Sequence, residues 1–138
     1  MTRTIHIGHV TDQEREIYDV VLRANKALIE QAKEGVTYRE FDAIPREIIN
    51  TAGYGANFTH GIGHGIGLDI HEYPYFGKSD EAIKAGMVLT DEPGIYLDDK
   101  YGVRIEDDLL ITETGCEVLT LAPKELIVIW EICWFVVK

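Results

Sequence analysis

This sequence changes its period midway, and that change limits the fold more than any other feature in it. Up to Gly53, apolar residues recur at helical spacing; past Gly55 the chain turns rich in glycine, histidine and β-branched residues, with turn signals between short runs. In the first part Thr11 is a good N-cap, and Glu14 three residues on completes a capping box. Ile17, Val20, Val21, Ala24, Leu28 and Ala32 then follow at helical spacing, which predicts a helix over residues 11–34 with Gly35 as its stop. Thr37 and Glu40 repeat the pattern and open a second helix striped by Phe41, Ile44, Ile48 and Ile49 and closed by Gly53. Pro45 falls inside it and is expected to kink it or move its start, because proline lacks the N–H and clashes with the preceding turn.

In the second part, strands are predicted near residues 58–60, 67–71, 88–97, 102–112 and 117–121, with Gly115 marking the last turn. Two helices ahead of an antiparallel sheet read as α+β rather than alternating βαβ. The 138 residues suffice for one domain with an ordinary core. Thirteen Lys and Arg against 24 Asp and Glu leave a net charge of −11, which argues against a nucleic-acid binder. It fits a soluble protein, or one whose carboxylates hold cations. Cys116 and Cys133 lie far apart, so this is not a disulfide scaffold, and a reducing cytoplasmic setting is the default expectation. The apolar run at the amino terminus is too short for a secretory leader. The most apolar segment, 126–137, is interrupted by Glu131 and falls short of the roughly 20 residues of a membrane span. Residues 126–129 read as a strand. Residues 130–137 either pack on the core as a final element or form a sticky surface that must find a partner.

Three stretches carry the side chains that do chemistry. In 59–72, three of the five histidines (His60, His64 and His71) fall within twelve residues among glycines that allow close approach. Imidazoles are common ligands of divalent metals, yet a glycine-rich strand with incidental histidines gives the same pattern. The runs 88–96 and 101–108 flank Asp98-Asp99-Lys100, which reads as a hairpin loop. If the hairpin centres near Asp99, Glu92 and Glu106 face each other with Cβ atoms roughly 4.5–5.5 Å apart. Two such carboxylates repel and should raise one pKa, a conflict that a divalent cation removes. Arg104, on the face of Glu106, offers another neutralisation; simple solvation of an exposed hairpin is a third reading, and Pro93 threatens the register.

The stretch 59–72, the run Thr90-Asp91-Glu92-Pro93-Gly94-Ile95-Tyr96 and the run Gly102-Val103-Arg104-Ile105-Glu106-Asp107 together closely resemble the signatures of the Xaa-Pro aminopeptidase and prolidase group. The resemblance covers residues 2–129. Leu68-Asp69 and the Glu-Pro-Gly-Ile-Tyr run look more like the Xaa-Pro branch than the methionine aminopeptidase branch. It implies half of a pita-bread fold: two long helices packed on a curved antiparallel sheet. In that family two aspartates, one histidine and two glutamates hold two metal ions. Carried over, His64, Glu92 and Glu106 look like metal ligands. Glu92 also helps manage the proton of the attacking water, and His71 resembles the histidine that contacts the substrate carbonyl. His60 and Arg104 resemble supporting active-site residues. The implied chemistry is metal-assisted hydrolysis of the peptide bond before proline, with manganese, cobalt or zinc as the divalent metal.

The family's two aspartate ligands lie upstream of a segment like Met1-Thr2-Arg3-Thr4, and Asp12 and Asp19 fall on the first helix and do not replace them. The chain is therefore expected to be a single truncated catalytic domain over residues 1–138, holding at most one ion and impaired alone, with residues after about 129 as an extension foreign to the family. A homo-oligomer, most simply a dimer, is expected to cover the uncovered face around Ile66, Leu68 and Ile70. The alternative function is a non-catalytic half-domain that binds a peptide or partner. A creatinase-like, metal-free hydrolase is disfavoured by the joint presence of His64, Glu92 and Glu106.

Overall fold

The computed structural model describes residues 1–130. Strand β1 (Ile5–Ile7) leads into helices α1 (Asp12–Gln31) and α2 (Tyr38–Thr51). A 3-10 turn (Gly55–Asn57) follows. Then come β2 (His64–Gly65), β3 (Glu72–Tyr75), β4 (Val88–Asp91), β5 (Gly94–Leu97), β6 (Tyr101–Arg104), β7 (Asp107–Ile111), β8 (Cys116–Val118) and β9 (Ile127–Ile129). Both helices start at the expected threonines. Thr11 and Thr37 each accept from the backbone N–H three residues on, and Glu14 and Glu40 each reach back to the cap N–H. Gly53 closes α2 in a left-handed conformation (φ +88°), with Tyr54 N–H on Ile49 O and Gly53 N–H on Asn50 O. The first helix, in contrast, ends at Gln31, where Ala32 turns extended. Gly35 is part of the connection and donates to Ile83 O rather than capping the helix. Helix α2 runs on through the buried Pro45, so proline neither stops it nor moves its start.

Five strands form one sheet in the order β3-β2-β4-β7-β8, all antiparallel. A two-stranded pair β5-β6 continues it. The expected strands 88–97 and 102–112 are each broken once. The register nevertheless runs straight through: Asp91 faces Asp107 and Gly94 faces Arg104. The break has a local cause. Pro93 has no N–H, Glu92 N–H is given to Ile62 O, and Glu106 exchanges both backbone bonds with Thr2.

Two predicted strands are absent. Segment 58–60 places its carbonyls on Arg46 instead of a neighbouring strand. Segment 67–71 bonds within its own bend, with Gly67 N–H on Asp69 O and Asp69 N–H on the Glu72 carboxylate. The last strand pairs in parallel with β1, Ile5 beside Ile127 and Ile7 beside Ile129, a departure from the all-antiparallel expectation. Ile17, Val21, Ala24 and Leu28 of α1 and Phe41 and Ile49 of α2 are buried against Leu89, Ile95, Ile105, Leu109 and Ile111 of the sheet. Of the segment 130–137, only Trp130 lies among the described residues, and it is exposed. No helix among the described residues is long and apolar enough to cross a membrane.

Candidate active site

The segment 63–65, which includes β2, can thread between β3 and β4 only because it lacks side chains at two points. A Cβ on Gly63 would lie 2.2 Å from Thr90 O, and one on Gly65 would lie 2.4 Å from Tyr73 O. His64, between them, is thereby set beside β4. Its N–H donates to Thr90 Oγ1 at 2.9 Å, and the same hydroxyl reaches Glu92 Oε1 at 3.2 Å. His64 Nδ1 lies 2.9 Å from Gly65 O, a contact that requires the Nδ1–H tautomer. Its Nε2 lies 3.4 Å from Glu92 Oε1. An imidazole nitrogen and a carboxylate oxygen so placed are two donor atoms that a divalent cation could share.

The His71 ring stands 4.4 Å from that of His64, centroid to centroid. On the other side, His60 Nδ1 donates to Gly61 O at 2.7 Å, so its Nε2 accepts from Tyr96 Oη at 2.8 Å. Arg104 donates to the same Tyr96 hydroxyl at 3.3 Å. His60, His64, His71, Glu92 and Arg104 thus line a single cleft of roughly 370 Å³, together with Gly61, Gly63, Tyr75 and Phe76. Sequence reasoning gave no role to Tyr96. The available signal is its position on the hairpin, four residues from Glu92 and so on the same strand face.

Glu106 is placed differently. The hairpin is centred at Asp99, and its register puts Glu92 and Glu106 at facing positions. The Glu106 carboxylate, however, takes the Thr2 hydroxyl, the Met1 ammonium at 3.2 Å and Arg104 Nε at 3.9 Å. Burial alone would raise its pKa, but Thr2, the ammonium and Arg104 outweigh it and hold the carboxyl below the ordinary glutamate range. The expected repulsion does not raise this member of the pair. Among the described residues, no three His, Cys, Asp or Glu side chains converge closely enough to hold an ion. His64 and Glu92 suit a divalent cation as donors; Glu106 is engaged elsewhere.

Behind the hairpin, on the core side, a second pair of acids stands in register. Asp91 and Asp107 are fully buried, and the Asn25 amide donates to both at 2.9 Å. Asp107 also receives Arg3 Nη2 at 2.6 Å and Lys124 Nζ at 2.5 Å. Burial opposes its ionisation, but these donors prevail and its pKa falls below the ordinary aspartate value. Asp91 has no such cations: burial first, then the charge of Asp107, push its carboxyl well above the ordinary range. Arg3 ties this pair to the cleft, since it also donates to Glu106 O and Thr2 O at 2.8 Å.

A profile of metallopeptidase family M24 matches residues 1–113. The Xaa-Pro dipeptidase of Pyrococcus furiosus is 52% identical over 128 residues, which is 92% of this chain and 37% of that protein. Among solved structures, the Xaa-Pro dipeptidase from Bacillus anthracis superposes with a TM-score of 0.89 at 49% identity, covering 91% of this chain and 36% of the other. The X-Pro aminopeptidase from Thermotoga maritima gives 0.88 at 42% identity, over 92% and 36%. The chain spans about a third of the length of the relatives it matches.

Proposed function

The chain belongs to metallopeptidase family M24, with part of the pita-bread fold as its architecture, and from that premise we propose that it serves a Xaa-Pro peptidase, of dipeptidase or aminopeptidase type, hydrolysing the bond before proline. The observation that carries this reading is the approach of His64 Nε2 to Glu92 Oε1, 3.4 Å apart, inside a cleft shared with His60, His71 and Arg104. His64 and Glu92 are the residues that would hold a divalent ion, with Glu106 as a third ligand only if its carboxylate leaves Thr2 and Arg104, and with manganese, cobalt or zinc as candidates. Such an ion supplies Lewis acidity to a peptide carbonyl and to water.

The remaining work falls to the chain's own groups. Glu92, held by Thr90, accepts the proton of the attacking water. His71, exposed and beside His64, donates to the carbonyl oxygen. The Arg104–Tyr96–His60 chain fixes a cation and an imidazole at the far wall of the cleft, where the substrate's polar end is oriented. Tyr75 and Phe76 line the same cleft and give it apolar wall for a pyrrolidine.

Alone, the chain is expected to hydrolyse Xaa-Pro dipeptides slowly or not at all, because it offers three candidate ligands where the family uses five. The test is turnover of an Xaa-Pro dipeptide with added manganese, before and after chelation, in the chain alone and in the chain supplemented with the remaining part of a relative's catalytic domain. Activity that appears on supplementation and is abolished by His71→Ala supports the reading. Absence of turnover in both, with retained peptide binding, supports the second reading, a peptide- or partner-binding module. The engagement of Glu106 by Thr2 and Arg104 favours that second reading.

A further inference from the structure

The segment that carries His60 into the cleft belongs to no strand, so its backbone groups need partners from elsewhere. They come from two side chains one turn apart on α2. Arg46 Nη1 donates to Phe58 O at 3.2 Å and Nη2 to His60 O at 2.8 Å. Asp42 Oδ1 accepts from Ile62 N–H at 2.9 Å. The two side chains are themselves joined in a bidentate pair, Nε to Oδ2 at 2.7 Å and Nη2 to Oδ1 at 3.0 Å. The guanidinium also lies 4.3 Å above the Phe58 ring. Residues 58, 60 and 62 are thus held at alternate positions by one planar ion pair. The contact passes on: Ile62 O accepts Glu92 N–H at 2.9 Å, at the point where β4 is broken by Pro93.

We propose that Asp42 and Arg46 are positioning residues of the cleft, setting the orientation of His60 against Tyr96 and the placement of Glu92 beside His64. The consequence for chemistry rests on the peptidase reading above; the geometric claim does not. A lysine at 46 keeps the charge but has no fork to span two carbonyls and a carboxylate. Asparagine at 42 keeps an acceptor for Ile62 N–H but gives up the ion pair.

The experiment uses the full chain as natural, Arg46→Lys and Asp42→Asn proteins and the double variant. It reads backbone amide exchange and the imidazole nitrogen shifts of His60. In Arg46→Lys, the amides of Ile62 and Glu92 should exchange about tenfold faster. The His60 shifts should lose the signature of an Nδ1–H ring accepting at Nε2, while Leu28 and Leu109 amides stay within about twofold. The double variant should be no worse than Arg46→Lys, because the two act as one unit. Asp42→Asn is the milder change and keeps the test decisive if Arg46→Lys fails to fold. Unchanged His60 shifts and Glu92 exchange in a folded variant overturn the proposal, as does loosening spread evenly over helices and sheet. Zinc calorimetry on the same proteins tests the link to function. If the natural chain binds zinc, the variants should lose roughly 10–100-fold in affinity, the usual cost of removing support behind a ligand. A natural chain that binds no zinc counts against the peptidase reading and leaves the exchange and shift data to decide the clamp.

Discussion

Two carboxylates one residue from the cleft behave oppositely because of what touches them. Asp107 is buried with Arg3, Lys124 and Asn25 as donors, whereas Asp91, facing it, has only Asn25, and its Oδ1 finds no partner among the described residues. Removing the charge at 107 strands two cations against a buried neutral group; at 91 burial and the charge of Asp107 already disfavour the ionised form, so there is little to lose. Asp107→Asn is therefore expected to cost about 3–5 kcal/mol, the usual penalty for breaking a buried pair from one side. Asp91→Asn should be neutral or stabilising. Urea denaturation at neutral pH compares the two directly; equal losses would mean that Asp91 is ionised and paired in the fold.

Among elements, the helices owe their starts to the same four-residue device used twice. Hydrogen bonding to the Thr11 backbone and hydroxyl lowers the Glu14 pKa, and Thr37 does the same for Glu40. A lowered carboxylate contributes stability that is complete above its unfolded pKa and is lost as pH falls through its folded pKa. Acidification below the ordinary glutamate range should therefore loosen the first turns of α1 and α2 before their centres. Amide exchange at pH 3 against pH 6, read at Glu14 and Glu40 and at Leu28, checks the order. Thr11→Ala should shrink the difference in α1, since only the backbone N–H is left to hold Glu14, and cost about 1 kcal/mol in unfolding free energy. The same elements aim the site. Helix α2 holds the His60 segment, α1 presents Asn25 to both core aspartates, and the hairpin carries Glu92, Tyr96, Arg104 and Glu106 on one face.

For the whole molecule, the ligand set and the surface both point outward. With His64, Glu92 and Glu106 as the candidate ligands, calorimetry with manganese, cobalt or zinc should show at most one weakly held ion per chain. Two tight sites would contradict this. The surface leaves Leu68, Ile70, Tyr73 and Tyr75 exposed beside the cleft, and Ile5, Ile7, Ile127 and Ile129 share the outer face of the β1–β9 pair. Apolar faces of this kind seldom stay open in a stable monomer. Light scattering is expected to report a dimer; a monodisperse monomer for the full chain and for one ending at Ile129 would rule it out.

Features that depend on neighbours along the chain were legible without the fold. Both helix starts, the α2 stop at Gly53 and the hairpin centred at Asp99 rest on caps, turns and period, which act over a few residues. The membership of one family was legible in the Gly-His stretch and the two acidic runs, because the motif residues stand there in unbroken runs. Features set by groups distant in sequence emerged only once the chain was folded. Segments 58–60 and 67–71 look like strands until Arg46 and Glu72 take their backbone groups. Gly35 looks like a cap until Ile83 claims its N–H. Glu106 looks like a free ligand until Thr2 and Arg104 take its carboxylate, and Asp91 looks like any acid of the hairpin until burial beside Asp107 sets it apart. Hydrogen-bond competition and desolvation depend on who arrives in space, and a local pattern carries no record of that.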